Sequence, residues 1–192
     1  ISFERKSAAT AYATMKVADC YFNMNKFSEA RARYEQFINS FPDHANVADA
    51  YFRKGECLFE ESLPPQYDQT ETINCIEAFR IFIDRYPNDP RYEKALDYIH
   101  QCQYKLLEKQ YLTGYIYYKM KDYSSALMYF DEIAALGNTD ELDRKALYYS
   151  AKLHLEQNNH DKAKASYELL KIRYPDSKEA KNLARKFAKL DK

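Results

Sequence analysis

One pattern of small, aromatic and proline residues is written four times along this chain, and it tightly limits the fold. A small residue is followed, usually twelve positions later, by a second, and four positions on by an aromatic. An apolar residue comes three further along, and an aromatic–proline pair usually closes the unit four and five beyond that. The copies are Ala18, Ala30, Tyr34, Phe37, Phe41-Pro42; Gly55, Cys75, Phe79, Phe82, Tyr86-Pro87; Gly114, Ala126, Phe130, Ile133, Gly137-Asn138; and Ala151, Ala163, Tyr167, Leu170, Tyr174-Pro175. Such a period specifies stacked pairs of antiparallel helices, because no single pair can bury its own apolar face.

The spacing assigns a task to each residue. The first small residue lies within helix A of a pair, and the second marks where helix B crosses it; a larger side chain there would force the helices apart. The aromatics Tyr34, Phe79, Phe130 and Tyr167 then fill the space between neighbouring pairs. Proline ends helix B, and Asp43, Asn88, Asp89, Asp176 and Ser177 are placed to cap the helix that follows. The pattern is that of tetratricopeptide repeats, whose period is about 34 residues. Here the plus-four aromatics lie 45, 51 and 37 residues apart, so each interval carries extra chain. Eight extra residues fall in 62–70, where Pro64-Pro65 must break a helix. Between 91 and 121 no breaker occurs, and the stretch reads as one long helix.

The expected fold is therefore all-α: a tetratricopeptide-type superhelix of stacked antiparallel helix pairs forming a single domain over 1–192. Helices are expected at 5–24, 27–40, 44–61, 71–86, 91–121, 123–136, 140–157, 160–173 and 177–190. No segment alternates with period two, so no sheet is expected. In the last helix, Ala180, Leu183, Ala184, Phe187 and Leu190 form an apolar stripe under Lys178, Lys181, Arg185, Lys186 and Lys189, as a capping helix requires.

Composition narrows function. Equal numbers of basic and acidic residues, 29 each, argue against nucleic acid as the main ligand. Residues 1–100 carry 12 cations against 16 anions, and residues 101–192 carry 17 against 13, which suits different partners at the two ends. No run is apolar enough to span a bilayer. The chain begins at Ile1 and reads as a trimmed or mature fragment. Cys20, Cys57, Cys75 and Cys102 form no Cys-x-x-Cys and read as buried reduced thiols, with a disulfide or a metal site as the alternatives. There is no phosphate loop and no nucleophile elbow, and the four histidines occupy unrelated repeat positions. No catalytic residue, metal site or cofactor is expected.

Binding is the expected activity. Tetratricopeptide grooves are lined by A helices, at minus six, minus three, plus one and plus four from the small residue. These positions hold Tyr12, Met15, Asp19 and Phe22; Asp49, Phe52, Glu56 and Phe59; Glu108, Tyr111, Tyr115 and Tyr118; and Lys145, Tyr148, Lys152 and Leu155. The early face is aromatic and acidic, the late one aromatic and basic. Asp19 and Glu56 would repel a terminal carboxylate, which argues against a carboxylate-clamp cochaperone. Tyr148, Lys152, Lys181 and Arg185 form a candidate C-terminal docking set.

Several stretches carry a more specific likeness. Phe-Ile-Asn-Ser-Phe-Pro-Asp-His-Ala-Asn-Val-Ala-Asp-Ala-Tyr-Phe over 37–52 and Phe-Arg-Ile-Phe-Ile-Asp-Arg-Tyr-Pro-Asn over 79–88 resemble the BamD family, tetratricopeptide lipoproteins of the outer-membrane β-barrel assembly machinery. So do the insertion Tyr67-Asp-Gln-Thr70 and the segment from Leu106 to Ala126. The resemblance implies a non-catalytic periplasmic scaffold on the outer membrane, reaching the membrane only through a lipid anchor upstream of this chain. It implies docking of a POTRA domain of the barrel insertase on the C-terminal repeats, contact with other assembly lipoproteins, and capture of the C-terminal β-signal of barrel precursors by the N-terminal repeats. It also implies a first repeat, here absent or reduced to residues 1–11. Gly137-Asn138 departs from the family's aromatic–proline pair. Another periplasmic tetratricopeptide adaptor, for envelope constriction or peptidoglycan synthesis, is the alternative, with a peptide-binding cochaperone behind it.

The register is testable. Ala163→Phe should destabilise the fold by about 1–3 kcal/mol through overpacking at a helix crossing; an unchanged melting temperature would mean that the crossing lies elsewhere.

Overall fold

The computed structural model describes residues 8–190. Nine helices appear among them: α1 (Ala8–Asn23), α2 (Phe27–Ser40), α3 (Val47–Glu61), α4 (Thr70–Arg85), α5 (Tyr92–Lys119), α6 (Tyr123–Leu136), α7 (Glu141–Glu156), α8 (His160–Arg173) and α9 (Lys178–Leu190). Each matches an expected helix to within a few residues, and no strand occurs among the described residues. The expected start of the first helix, at 5–7, lies outside them. The chain divides into two compact units, one ending at Leu106 and the other beginning at Leu107, with the boundary inside α5.

Within each unit consecutive helices pack as hairpins, and the small residues stand where the pattern puts them. Ala18, Ala30, Cys75, Ala126, Ala151 and Ala163 have no exposed surface, and Gly55 and Gly114 are buried. A Cβ on Gly55 would lie 2.7 Å from Cζ of Phe79, and one on Gly114 would lie 2.9 Å from Cβ of Tyr129. Of the plus-four aromatics, Tyr34, Phe79 and Phe130 are fully buried. Tyr167 is half-buried and stacks on Phe187 of α9 at 4.8 Å.

The turns repeat as faithfully as the crossings. Seven residues after the small residue of helix A, the chain enters the left-handed region at Asn25 (φ 57), Lys121 (φ 62) and Asn158 (φ 60). In each case the next N–H reaches back to a helix carbonyl: Lys26 to Tyr21, Asp122 to Tyr117 and Asn159 to His154. This left-handed cap satisfies carbonyls that the helix end would orphan. The second copy lacks it. There Ser62 is extended (φ −68), and the chain leaves into the insertion. Gln69 ties that loop down. Its Nε2 donates to the carbonyls of Pro64 (2.8 Å) and Asp68 (3.1 Å), while its Oε1 accepts from buried Thr72.

After helix B, the residue before proline ends the helix in one conformation three times. Phe41, Tyr86 and Tyr174 have φ −137, −129 and −137, and their N–H groups donate to Phe37, Phe82 and Leu170. A residue preceding proline avoids the helical region, which explains the stop. The third copy ends on Gly137 instead, whose φ of 67 favours glycine, and the Arg173 side chain lies beside it. Arg173 donates to Asp143 (2.8 Å) and to the Ala134 carbonyl (3.3 Å). Tyr174 adds its hydroxyl to Asp143 at 2.6 Å.

Capping follows the expectation in part. Asp89 accepts the N–H of Arg91 at 2.9 Å ahead of α5, and Ser177 accepts that of Ala180 at 3.1 Å at the start of α9. Ahead of α3, which has no side-chain cap, Nδ1 of His44 accepts from the N–H of Asn46. The last helix covers its unit as a cap should. Ala180 and Leu183 are buried on α7 and α8, while Lys178, Lys181, Arg185 and Lys186 face solvent.

The thiols need one correction. Cys57, Cys75 and Cys102 are buried, but Cys20 is exposed. Cys57 occupies the equivalent repeat position and is covered by the core of α1–α3, whereas no described helix precedes α1 to cover Cys20. Burial, with the nearby carboxylates of Glu61 and Glu56, pushes the Cys57 thiol up to about 12.

Arg173→Leu should destabilise the protein by roughly 3 kcal/mol, because it strands the Asp143 carboxylate in the core. Arg173→Leu combined with Asp143→Leu should recover much of that loss in chemical denaturation; a double variant as unstable as the single one would refute the pairing.

Candidate functional site

The A-helix positions of the first unit are filled by two kinds of side chain. Met15 and Phe52 are core residues, 4% and 3% exposed, and offer almost no contact area. Phe52 packs on Phe79 and Phe82, and the cations of Arg91 (4.9 Å) and Lys94 (5.3 Å) lie over its ring. Phe22 is half-buried, edge-on to Phe27, with Arg53 over its face at 5.0 Å. Phe59 packs against Tyr98 at 4.7 Å. Tyr12 is exposed, with Lys16 near its ring.

The acids of this face do not stand free. Asp19 accepts from the Tyr34 hydroxyl (2.9 Å) and from Lys16 (3.1 Å). Asp49 is bound by Arg91 at 2.5 Å. Glu56, 6% exposed, accepts from Lys94 (2.8 Å) and Tyr98 (3.2 Å) on one oxygen and from Arg53 (3.0 Å) on the other. That hydrogen bond leads the effects that raise the Lys94 pKa. The face is thus a compensated ion network over an aromatic floor. A shallow cleft of about 270 Å³ opens beside it, lined by Lys16, Asp19, Phe22, Tyr34 and Arg53 among others. Arg53, Arg91, Lys94 and Tyr98 belong to no chosen repeat position. Arg53 meets Glu56 one turn along the same helix, whereas Arg91, Lys94 and Tyr98 reach their acids from elsewhere in the fold.

The second unit carries a tyrosine–lysine face. Tyr111, Tyr115 and Tyr118 line one side of α5, and all three ring centroids fall within 6.4 Å of Tyr149 on α7. Tyr149 also stacks on Phe130 (5.3 Å) and meets Tyr148 edge-on. Lys145, Lys119 and Lys152 lie over Tyr111, Tyr115 and Tyr118. Lys152 also hydrogen-bonds the Tyr118 hydroxyl. Lys145 pairs with Glu141 at 2.6 Å, and Glu108 and Leu155 are half-buried. The hub, Tyr149, sits one residue past the chosen groove position; the Tyr148-Tyr149 pair was its only signal in the sequence. Lys181 and Arg185 lie exposed on α9, with Lys181 3.9 Å from Asp176.

No group of histidine, cysteine or carboxylate side chains among the described residues could hold a metal ion. No described helix is long and apolar enough to cross a membrane.

Stacked hairpins with small residues at every crossing and aromatic, charged A-helix faces define a helical-repeat protein of the tetratricopeptide class. A tetratricopeptide repeat model matches residues 145–177. The model of the outer membrane lipoprotein family YfiO matches residues 5–135, more than half of the sequence, and the chain belongs to that family. It is 26% identical over 169 residues to the outer membrane protein assembly factor BamD of Rickettsia prowazekii (strain Madrid E), covering 88% of this chain and 67% of that protein. It is 24% identical over 151 residues to the factor of the same name from Caulobacter vibrioides, covering 79% of this chain and 50% of that protein.

Burial raises the phenols of Tyr111 and Tyr149, that of Tyr149 to about 12. A group raised on folding stabilises fully below its unfolded pKa, about 10 for tyrosine, and that stability is lost as pH climbs through the folded value. Denaturation midpoints should therefore fall between pH 10 and 12, and Tyr149→Phe should flatten the fall; an identical alkaline profile for the variant would rule out this cause.

Proposed function

We propose that this chain is a non-catalytic scaffold for the assembly of outer-membrane β-barrel proteins, working at the periplasmic face of the outer membrane under a lipid anchor carried by the full-length protein. Membership of the outer membrane lipoprotein family carries this reading. Both relatives above bear the name of an outer membrane protein assembly factor, which supports it. The make-up of the two faces favours binding over chemistry. Nearly every charged group there is tied to an aromatic ring or an opposite charge, an arrangement that holds side chains still for recognition.

The two faces suit different partners. Tyr148, Lys152, Lys181 and Arg185, on the cationic second unit, would dock a POTRA domain of the barrel insertase, with other assembly lipoproteins bound alongside. The first unit, with Tyr12, Asp19, Phe22, Glu56 and Phe59 around its cleft, would receive the C-terminal β-signal of barrel precursors, whose aromatics suit rings placed beside compensated charge. Met15 and Phe52 would support that surface from beneath. Tyr111 and Tyr115 would add aromatic contact area in the second unit.

The test is copurification from envelope membranes. Lys152→Glu with Arg185→Glu should reduce the recovered insertase severalfold while leaving the melting temperature near that of the unaltered protein. Undiminished recovery would remove the second unit as the docking site. A pull-down that returns constriction or peptidoglycan-synthesis proteins and no insertase would favour the adaptor reading instead.

A further inference from the structure

We propose that Cys75 and Cys102 are a disulfide-forming pair whose oxidation staples α4 to α5 within the first unit. Both residues have no exposed surface and share one core cluster with Phe79, Ala95 and Ile99. Their thiols lie close enough for each to perturb the other. The Cys75 thiol also lies 3.6 Å from the Gly55 carbonyl. Three of the four copies place alanine at this crossing, at Ala30, Ala126 and Ala163, so packing alone asks only for a small residue. The one copy that departs from alanine does so with a thiol, and the α5 residue it meets carries a second thiol. The other two cysteines lack this setting. Cys57 belongs to a different cluster, and Cys20 is exposed.

The pair is chemically asymmetric. Interaction with Cys75 holds the Cys102 thiol below the ordinary range, and Lys105, one turn along α5, helps. The same contact and burial push Cys75 up. Cys102 is therefore the attacking thiolate. It would attack one sulfur of a disulfide oxidant, such as glutathione disulfide or an oxidised dithiol protein, and expel one thiolate. The expelled thiolate takes the Cys75 proton. Cys75 then attacks Cys102 Sγ and releases the second half of the oxidant as a thiolate, which takes from water the proton that Cys102 gave up. Two protein thiols are oxidised to one disulfide, and one oxidant disulfide is reduced to two thiols. Because neither sulfur is exposed, the exchange belongs to the stage before α5 settles on α4, or to a local opening. The cysteines are only 27 positions apart, within consecutive helices, so they meet as soon as that hairpin forms.

An oxidising compartment in the cell rests on the outer-membrane reading above. The thiol chemistry does not, so the test is made on the purified, unaltered chain. The protein is refolded in oxidised glutathione, alkylated in denaturant, digested and mapped by mass spectrometry, with a dithiothreitol-treated sample alongside. The expected result is a peptide cross-linked through Cys75 and Cys102 that is lost on reduction. The oxidised form should melt higher than the reduced one by on the order of 10 °C. Cys102→Ala should melt at one temperature under both conditions. Individual alkylation of Cys75 and Cys102 in the oxidised sample, a bridge to Cys20 or Cys57, or a melting temperature indifferent to dithiothreitol would overturn the proposal. None of these outcomes bears on insertase recovery.

Discussion

Close approach of two helix backbones at a residue without bulk is the contact on which the structure depends. Where Ala30 meets the first A helix, or Ala163 the fourth, nothing larger than a methyl group separates the pair, and the aromatic one turn later drops into the next gap. The two glycines show how little tolerance there is. At Gly55 the ring of Phe79 lies where a Cβ would be, and at Gly114 the side chains of Tyr129 and Phe130 crowd the same space. The aromatic and the glycine exist for each other. Interiors packed to crystal density cannot absorb a misplaced methylene cheaply, so the pattern recurs with little variation.

That packing settles what is left over for recognition. Side chains at A-helix positions are shared between the core and the surface, and the division differs between units. In the first, Met15 and Phe52 are drawn inward, and the surface above them is an ion network centred on Glu56. A buried carboxylate with three donors is held in place, and its charge is largely answered before any ligand arrives. In the second, Tyr149 organises a sheath of phenols, and lysines lie across their faces. Cations over rings keep part of their hydration, so this surface stays cationic toward a partner.

The acidic character expected of the early groove is thereby altered. Asp19, Asp49 and Glu56 are present at the anticipated positions, but Lys16, Arg91, Lys94 and Arg53 meet them. Lys94 stands 38 residues from Glu56 in the sequence, and Arg91 stands 42 from Asp49. The sequence holds no local signal for such partners. The same is true of Arg173, which reaches Asp143 across 30 residues. Cys20 and Cys57 make the point in reverse. They are equivalent in the pattern, yet Cys57 lies in the core of α1–α3 while Cys20 is exposed among the described residues.

The amino-acid sequence by itself determined the nine helices, their pairing, the crossing residues, the long α5, the broken stretch at 62–69 and the capping role of α9. All of these follow from local backbone preference and from a spacing that repeats every hairpin, so neighbours along the chain suffice to specify them. Tertiary structure alone decided which groove aromatics reach solvent, that Arg91 and Lys94 answer Asp49 and Glu56, that Tyr149 and not Tyr148 is the hub, and that two thiols meet between α4 and α5. Those outcomes depend on which helices happen to lie side by side, and a side chain's exposure and charge environment are properties of its neighbours in space.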